Sequence, residues 1–155
     1  MTAAASSSPE RVYRLGPRLK LTVIRERGPC YHEPMRTSSE VYRFIGEEAA
    51  SWDRERFLAL LLDGKNRVLG LNEVSVGTLT ASLVHPREVF KAAIVGNAAA
   101  VIVVHNHPSG DPTPSAEDIA ITQRLREAGE LLGIRILDHI VLGDGRYVSF
   151  SDEGL

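Results

Sequence analysis

His105 and His107 stand one residue apart in HNHPSGDPTPSAED, residues 105–118, and Ser115 and Asp118 close the same stretch. Imidazole and carboxylate are ligands that zinc favours, and a catalytic zinc keeps three protein ligands and one open position. Just upstream, AAAVIVV (Ala98 to Val104) reads as a buried strand rich in β-branched residues. If extended backbone continues through the pair, both imidazoles project to the same side, because side chains repeat with period two. The Pro- and Gly-rich loop then brings Asp118 back as a third ligand. Such a constellation is a metal site.

Asp118 has a second reading. Ser115-Ala116-Glu117-Asp118 is also an N-cap with an acid at N3, which stabilises a helix by roughly 1 kcal/mol. The same helix start favours negative charge through its N–H groups and dipole, so Ser115 can donate to an oxyanion. A hydrolytic site further needs a general base outside the metal ligands. Glu55 and Glu73 both qualify. Centring a hairpin turn on Gly64 and Lys65 sets Glu55 opposite Val74 with Glu73 adjacent, both at the open end. If the 56–63 arm lies antiparallel to the 98–104 strand, that end is the His105 end. His139, inside an apolar strand after Asp138, reads as buried and hydrogen-bonded or as a residue that orients a ligand. His85, at a helix start, and His32, in a loop, are not expected to bind metal.

The elements that must position these groups follow from periodicity and turn chemistry. Residues 18–27 alternate as a strand with one wet face. Residues 28–34 read as a loop, and Thr37 and Glu40 have capping-box spacing ahead of a helix to about Ser51. Residues 56–63 and 67–75 form a hairpin about Asp63-Gly64-Lys65-Asn66. Pro86 opens a helix with Val89, Phe90, Ala93 and Ile94 as its apolar stripe. After the 98–104 strand, Ser115 opens the longest helix, with Ile121, Leu125, Ala128 and Leu132 on one face and Gly133 as its stop. Residues 134–143 are a strand, Asp144-Gly145 a turn, and 146–151 the returning strand. This order predicts one mixed sheet in a three-layer α/β fold. Residues 1–10 are expected to be a disordered tail and 11–155 one domain, its 11–52 part a strand and a helix.

Composition narrows the function classes. The chain has 155 residues, 43 % of them hydrophobic, enough for one globular domain with its own core. A net charge of −2 and singly scattered Lys and Arg provide no field that would draw nucleic acid or an anionic membrane. Cys30 is the sole cysteine, so neither an intrachain disulfide nor a thiolate cluster forms. MTAAASSSP lacks a signal-peptide pattern and no apolar run is long enough to span a bilayer, which points to the cytoplasm.

His105-x-His107, seven residues, then Ser115-x-x-Asp118 resembles the JAMM motif of MPN-plus (JAB-domain) metalloproteases. GTLTASLVHPREVFKAA, HNHPSGDPTPSAED and LLGIRILDHIVLG resemble the RadC-type branch, from about Phe57 to the end. The resemblance implies a JAB/MPN-like α-β-α sandwich of cytidine-deaminase-like type. It implies Zn2+ held by His105, His107 and Asp118, with Ser115 as oxyanion donor. It also implies an upstream glutamate that activates water, and Glu55 matches it best, with Glu73 as competitor. The activity implied is hydrolysis of an amide, in a peptide or protein substrate that can be isopeptide-linked. RadC proteins carry an N-terminal helix-hairpin-helix-like region that residues 1–52 are too short to match, so DNA contact is not expected. The rival readings are a metal-dependent nuclease and a non-catalytic metal-binding module. A cupin-like site does not suit the Pro-rich loop and helix.

Overall fold

In a computed structural model of the chain, residues 33–77 and 84–155 are described. The 1–10 tail, the 18–27 strand, His32 and residues 78–83 lie outside them. The elements run α1 (Ser38–Ala49), β1 (Arg56–Leu62), β2 (Val68–Val76), α2 (Pro86–Val95), β3 (Ala100–Asn106), α3 (Ala116–Leu132), β4 (Arg135–Leu142), β5 (Tyr147–Ser149) and α4 (Phe150–Glu153). The strands form one sheet in the order β2-β1-β3-β4-β5. Only β3 and β4 pair in parallel, joined through α3.

β1 and β3 lie at the centre and are buried on both faces, which is why their sequences are continuous apolar runs. Phe57, Ala59, Leu61, Val101 and Val103 face one way, onto Val89, Phe90 and Ala93 of α2 and Ile121 and Leu125 of α3. Leu58, Leu60, Leu62, Ile102 and Val104 face the other, onto Val41 and Ile45 of α1. The three-layer α-β-α arrangement follows, as the pattern predicted. The starts of α1, α2 and α3 are the ones the sequence marks. Thr37–Glu40 and Ser115–Asp118 both close as capping boxes, and Pro86 opens α2.

Four local expectations need correction. The hairpin register is wrong by three residues at its open end. Asp63 pairs with Arg67, one residue beyond the expected turn, and β2 carries bulges opposite Leu61/Leu62 and Phe57/Leu58. Glu55 therefore meets Gly77, not Val74, through Gly77 N–H donating to Glu55 O at 2.8 Å. The last strand ends at Ser149, because that side chain accepts from Asp152 N–H and starts α4. Ile94 is 54 % exposed, since α2 buries only Val89, Phe90 and Ala93. Leu132 is likewise exposed, and the buried line on α3 runs through Gly129 instead.

Gly129 marks the closest approach of α3 to β4. A Cβ there would stand 2.4 Å from the Ile134 carbonyl oxygen and 3.3 Å from Phe90 Cζ. Helix propensity alone favours Gly129→Ala by about 1 kcal/mol. Backbone cannot retreat as a side chain can, and overpacking costs about 1–3 kcal/mol. Steric cost wins, so the variant is expected to have a lower denaturation midpoint in urea; an unchanged or higher midpoint counts against this packing.

Candidate metal centre

β3 continues two residues past Val104, so His105 is its penultimate residue and His107 follows its end. The two imidazoles meet as their spacing predicts, with Nε2 atoms 2.9 Å apart. α3 begins over this end of the sheet and delivers Asp118 from its first turn. Asp118 Oδ1 lies 3.2 Å from His105 Nε2, and Oδ2 lies 3.4 Å from His107 Nε2. Bonds of about 2.0–2.1 Å in tetrahedral geometry put ligand atoms about 3.3 Å apart. Separations of 2.9–3.4 Å among these three residues match that edge. The site lies at the C-terminal end of a β3–α3–β4 parallel unit, where open α/β sheets place ligands.

Glu55 joins the cluster. One carboxylate oxygen and one nitrogen from each of His105 and His107 all lie within 4.8 Å of one another. Its position comes from the sheet: Phe57 pairs with His105 across β1 and β3, and Glu55 is two residues before Phe57 on the same face. Glu73 does not join. It pairs with Leu58, which faces α1, and its carboxylate binds Arg56 Nη1 at 2.6 Å. The two bulges in β2 separate the two glutamates that a regular hairpin would have set side by side.

The electrostatics follow from crowding. Asp118 is buried, which raises its carboxyl pKa, but the His105 and His107 imidazoles set against it and the Ser115 N–H donor outweigh burial. The group is held well below the usual carboxylate range. His107 is shifted up, chiefly by Asp118 and against its own partial burial. Its Nδ1–H donates to the Asp111 carbonyl at 2.8 Å, so in the neutral ring the lone pair sits on Nε2. A neutral imidazole aimed this way by a backbone carbonyl is in the form that binds metal. Two imidazole nitrogens and a carboxylate face one another, a donor set that suits a divalent metal of zinc type.

Ser115 and Asp118 also cap α3, as the alternative reading held. Ser115 Oγ accepts from Asp118 N–H at 3.1 Å, and Asp118 Oδ2 accepts from Ser115 N–H at 2.7 Å. The cap and the metal cluster share one carboxylate. An accepting hydroxyl keeps its own proton to donate, so Ser115 remains able to serve an oxyanion.

Sequence reasoning missed Asn106. Its Oδ1 accepts from Arg56 N–H at 2.8 Å and its Nδ2 donates to Arg54 O at 3.0 Å, so it clips the backbone on both sides of Glu55. Its position between the histidines was the available signal, since period two turns it away from the metal. The 108–114 loop is braced from below. Asp144 N–H donates to Gly110 O at 2.9 Å, and a Cβ on Gly143 would stand 2.4 Å from that oxygen. Only glycine fits there. His139 lies behind His105, Nε2 to Nδ1 at 2.7 Å, and His85 is a helix cap whose Nδ1 accepts from Arg87 N–H. Neither belongs to the metal cluster.

A cleft of about 310 Å³ borders His107 on the α1 side, lined by Tyr42, Trp52, Asn106, Gly110 and Gly143 among others. Among the described residues that line it, none is a lysine or arginine. No helix of the described residues is long and apolar enough to cross a membrane.

Comparison with known proteins agrees with this geometry. A model of the RadC-like JAB domain matches residues 35–155, which contain every element and site residue described above. The UPF0758 protein of Pelobacter propionicus is 60 % identical over 116 residues, covering 75 % of this chain and 51 % of its own length. That of Syntrophotalea carbinolica is 49 % identical over 152 residues, 98 % of this chain and 65 % of its own. That of Methanosarcina mazei is 55 % identical over 125 residues, 79 % of this chain and 55 % of its own. The chain thus spans roughly half to two thirds of the curated relatives it matches. With the matched segment embracing the whole α-β-α sandwich and the His-His-Asp cluster at its edge, the chain belongs to the RadC-like JAB domain family.

Proposed function

We propose that the chain is a zinc-dependent hydrolase that cleaves an amide bond in a peptide or protein, isopeptide linkages included. The carrying observation is the set of 2.9–3.4 Å separations among His105, His107 and Asp118, with the Glu55 carboxylate beside them. In this reading those three residues hold the metal through two Nε2 atoms and a carboxylate oxygen. Zinc held there would supply Lewis acidity and lower the pKa of a water towards 7.

The chain's own groups handle the proton and the charge. Glu55 accepts the water proton and passes it to the leaving amine, and Asn106 keeps the backbone around it fixed. Ser115 Oγ–H and the first N–H groups of α3 stabilise the oxyanion, a kind of interaction worth about 3 kcal/mol. The cleft beside His107 suits a neutral or cationic segment better than a phosphate backbone, which favours a peptide over a nucleic acid.

Two experiments test this. Purified chain loaded with zinc is screened against peptide and isopeptide substrates, then compared with Glu55→Gln. Turnover is expected to fall by about 10²–10⁴-fold in the variant while zinc stays bound. Undiminished turnover would move the base elsewhere, and no turnover on any amide with zinc bound would leave a metal-binding module.

The second experiment separates the two roles of Asp118 by elemental analysis and urea denaturation. Asp118→Asn keeps an oxygen for Ser115 N–H and is expected to lose zinc while holding α3. Asp118→Ala is expected to lose zinc and also about 1 kcal/mol of stability from the cap. Full zinc occupancy in both variants would reduce Asp118 to a capping residue.

A further inference from the structure

His105, His139, Thr122 and Asp118 form a closed chain of contacts in the buried layer between β3, β4 and α3. His105 Nδ1 lies 2.7 Å from His139 Nε2, and His139 Nδ1 lies 2.6 Å from Thr122 Oγ1. Thr122 Oγ1 in turn lies 2.6 Å from the backbone carbonyl of Asp118. All four residues are buried, so water does not complete these bonds.

Each proton in the chain is fixed by its neighbour. A carbonyl oxygen only accepts, so the Thr122 hydroxyl donates its single proton to Asp118 O. Thr122 Oγ1 can then only accept from His139, so His139 carries its proton on Nδ1. His139 is wholly buried, where an imidazolium would forfeit its hydration, so the ring is neutral and Nε2 keeps a lone pair. That lone pair accepts from His105, so His105 carries its proton on Nδ1 and has a bare Nε2. The bare Nε2 is the atom that faces His107 Nε2 and Asp118 Oδ1. A free histidine side chain prefers the opposite tautomer, with the proton on Nε2.

We propose that Thr122 and His139 are positioning residues that hold His105 in the tautomer whose Nε2 lone pair faces His107 and Asp118. The chain begins at one member of the metal cluster and ends on the backbone of another, so it also ties β3 to the first turn of α3. Its consequence for metal affinity rests on the metal reading above, whereas the tautomer itself does not. Removing the Thr122 hydroxyl leaves His139 Nδ1–H buried without an acceptor. Moving that proton to Nε2 relieves His139, but it forces His105 Nδ1 to accept and shifts the His105 proton onto Nε2. Metal is then opposed by a proton on the atom that should bind it.

The test uses the full chain as Thr122→Val, which is nearly isosteric, and Thr122→Ser, which restores the hydroxyl. Imidazole 15N chemical shifts in the metal-free protein report the tautomer of His105, and chelator competition with Zn2+ reports affinity. Wild type and Thr122→Ser are expected to carry the His105 proton on Nδ1. Thr122→Val is expected to shift it towards Nε2 and weaken zinc by about 10–100-fold, the range typical of partners behind a ligand. His139→Phe provides a second route if Thr122→Val fails to fold. It keeps a ring stacked on Phe150, now 4.7 Å away, and against Phe57, but it removes the acceptor.

Unchanged His105 shifts and unchanged zinc affinity in a folded Thr122→Val or His139→Phe overturn the proposal. A wild-type chain with the expected tautomer that takes up no zinc supports the proposal and removes the metal reading instead.

Discussion

The antiparallel pairing of β1 with β3 is the constraint on which the rest depends. It sets Phe57 against His105 and so brings Glu55 to the histidine end of the sheet. Both strands are buried on both faces, and a slip of one residue would turn every side chain to the opposite layer. Ten or so apolar side chains would exchange cores, and His105 would leave α3 for α1. The cost of such a slip is shared across the whole sandwich, which is why a short edge bearing the two histidines can rely on it. The bulges in β2 are harmless to this arrangement because they act on the outer edge of β1.

α3 is the second support, and it joins stability to chemistry. Its first turn needs an acid at N3 to satisfy the Ser115 N–H, and the metal cluster needs a carboxylate facing two imidazoles. Asp118 Oδ2 meets the first need, and its two oxygens stand 3.2 and 3.4 Å from the imidazoles. The helix dipole favours the negative charge that both roles require. The far end of the same helix closes with Gly129 packed against the Ile134 backbone, in the turn that leads into β4. A capping residue, a close glycine contact and a threonine hydroxyl together hold one carboxylate in place relative to one strand end.

Much of this was legible in the sequence, for local reasons. The apolar runs of β1 and β3, the capping boxes at Thr37 and Ser115 and the His-x-His spacing are short-range signals, and each appears in the structure. The hairpin register was not legible, because bulges leave little mark in residue types, and a regular ladder wrongly set Glu73 beside Glu55 at the histidine end. β5 looked like a longer strand because Val148 and Phe150 alternate, yet Ser149 caps a helix and Asp138 fixes Ser149 and Ser151 from β4. Ile94 and Leu132 fit their helical stripes and still face outward, since a helix end can outrun the layer beneath it. Asn106 had only its place between the histidines as a signal, and the partners that give it and Thr122 their roles, Arg54, Arg56 and His139, lie far away in the chain.

The distribution of buried polar groups explains why those distant partners matter. His105, Asn106, Asp118, Thr122 and His139 are all buried, and each takes hydrogen bonds or close polar contacts from others in or beside the set. An unpaired buried polar group costs about 1–3 kcal/mol, so a layer holding five of them is stable only when their geometry is mutually satisfied. Period two along β3 divides the work. His105 and His107 turn to the α3 side, where threonine and a second imidazole set the proton, while Asn106 turns to β1 and clips the backbone on either side of Glu55. The imidazole nitrogens and the carboxylate are therefore aligned by bonds the protein makes with itself, the kind of preorganised cluster that a ligand need not assemble.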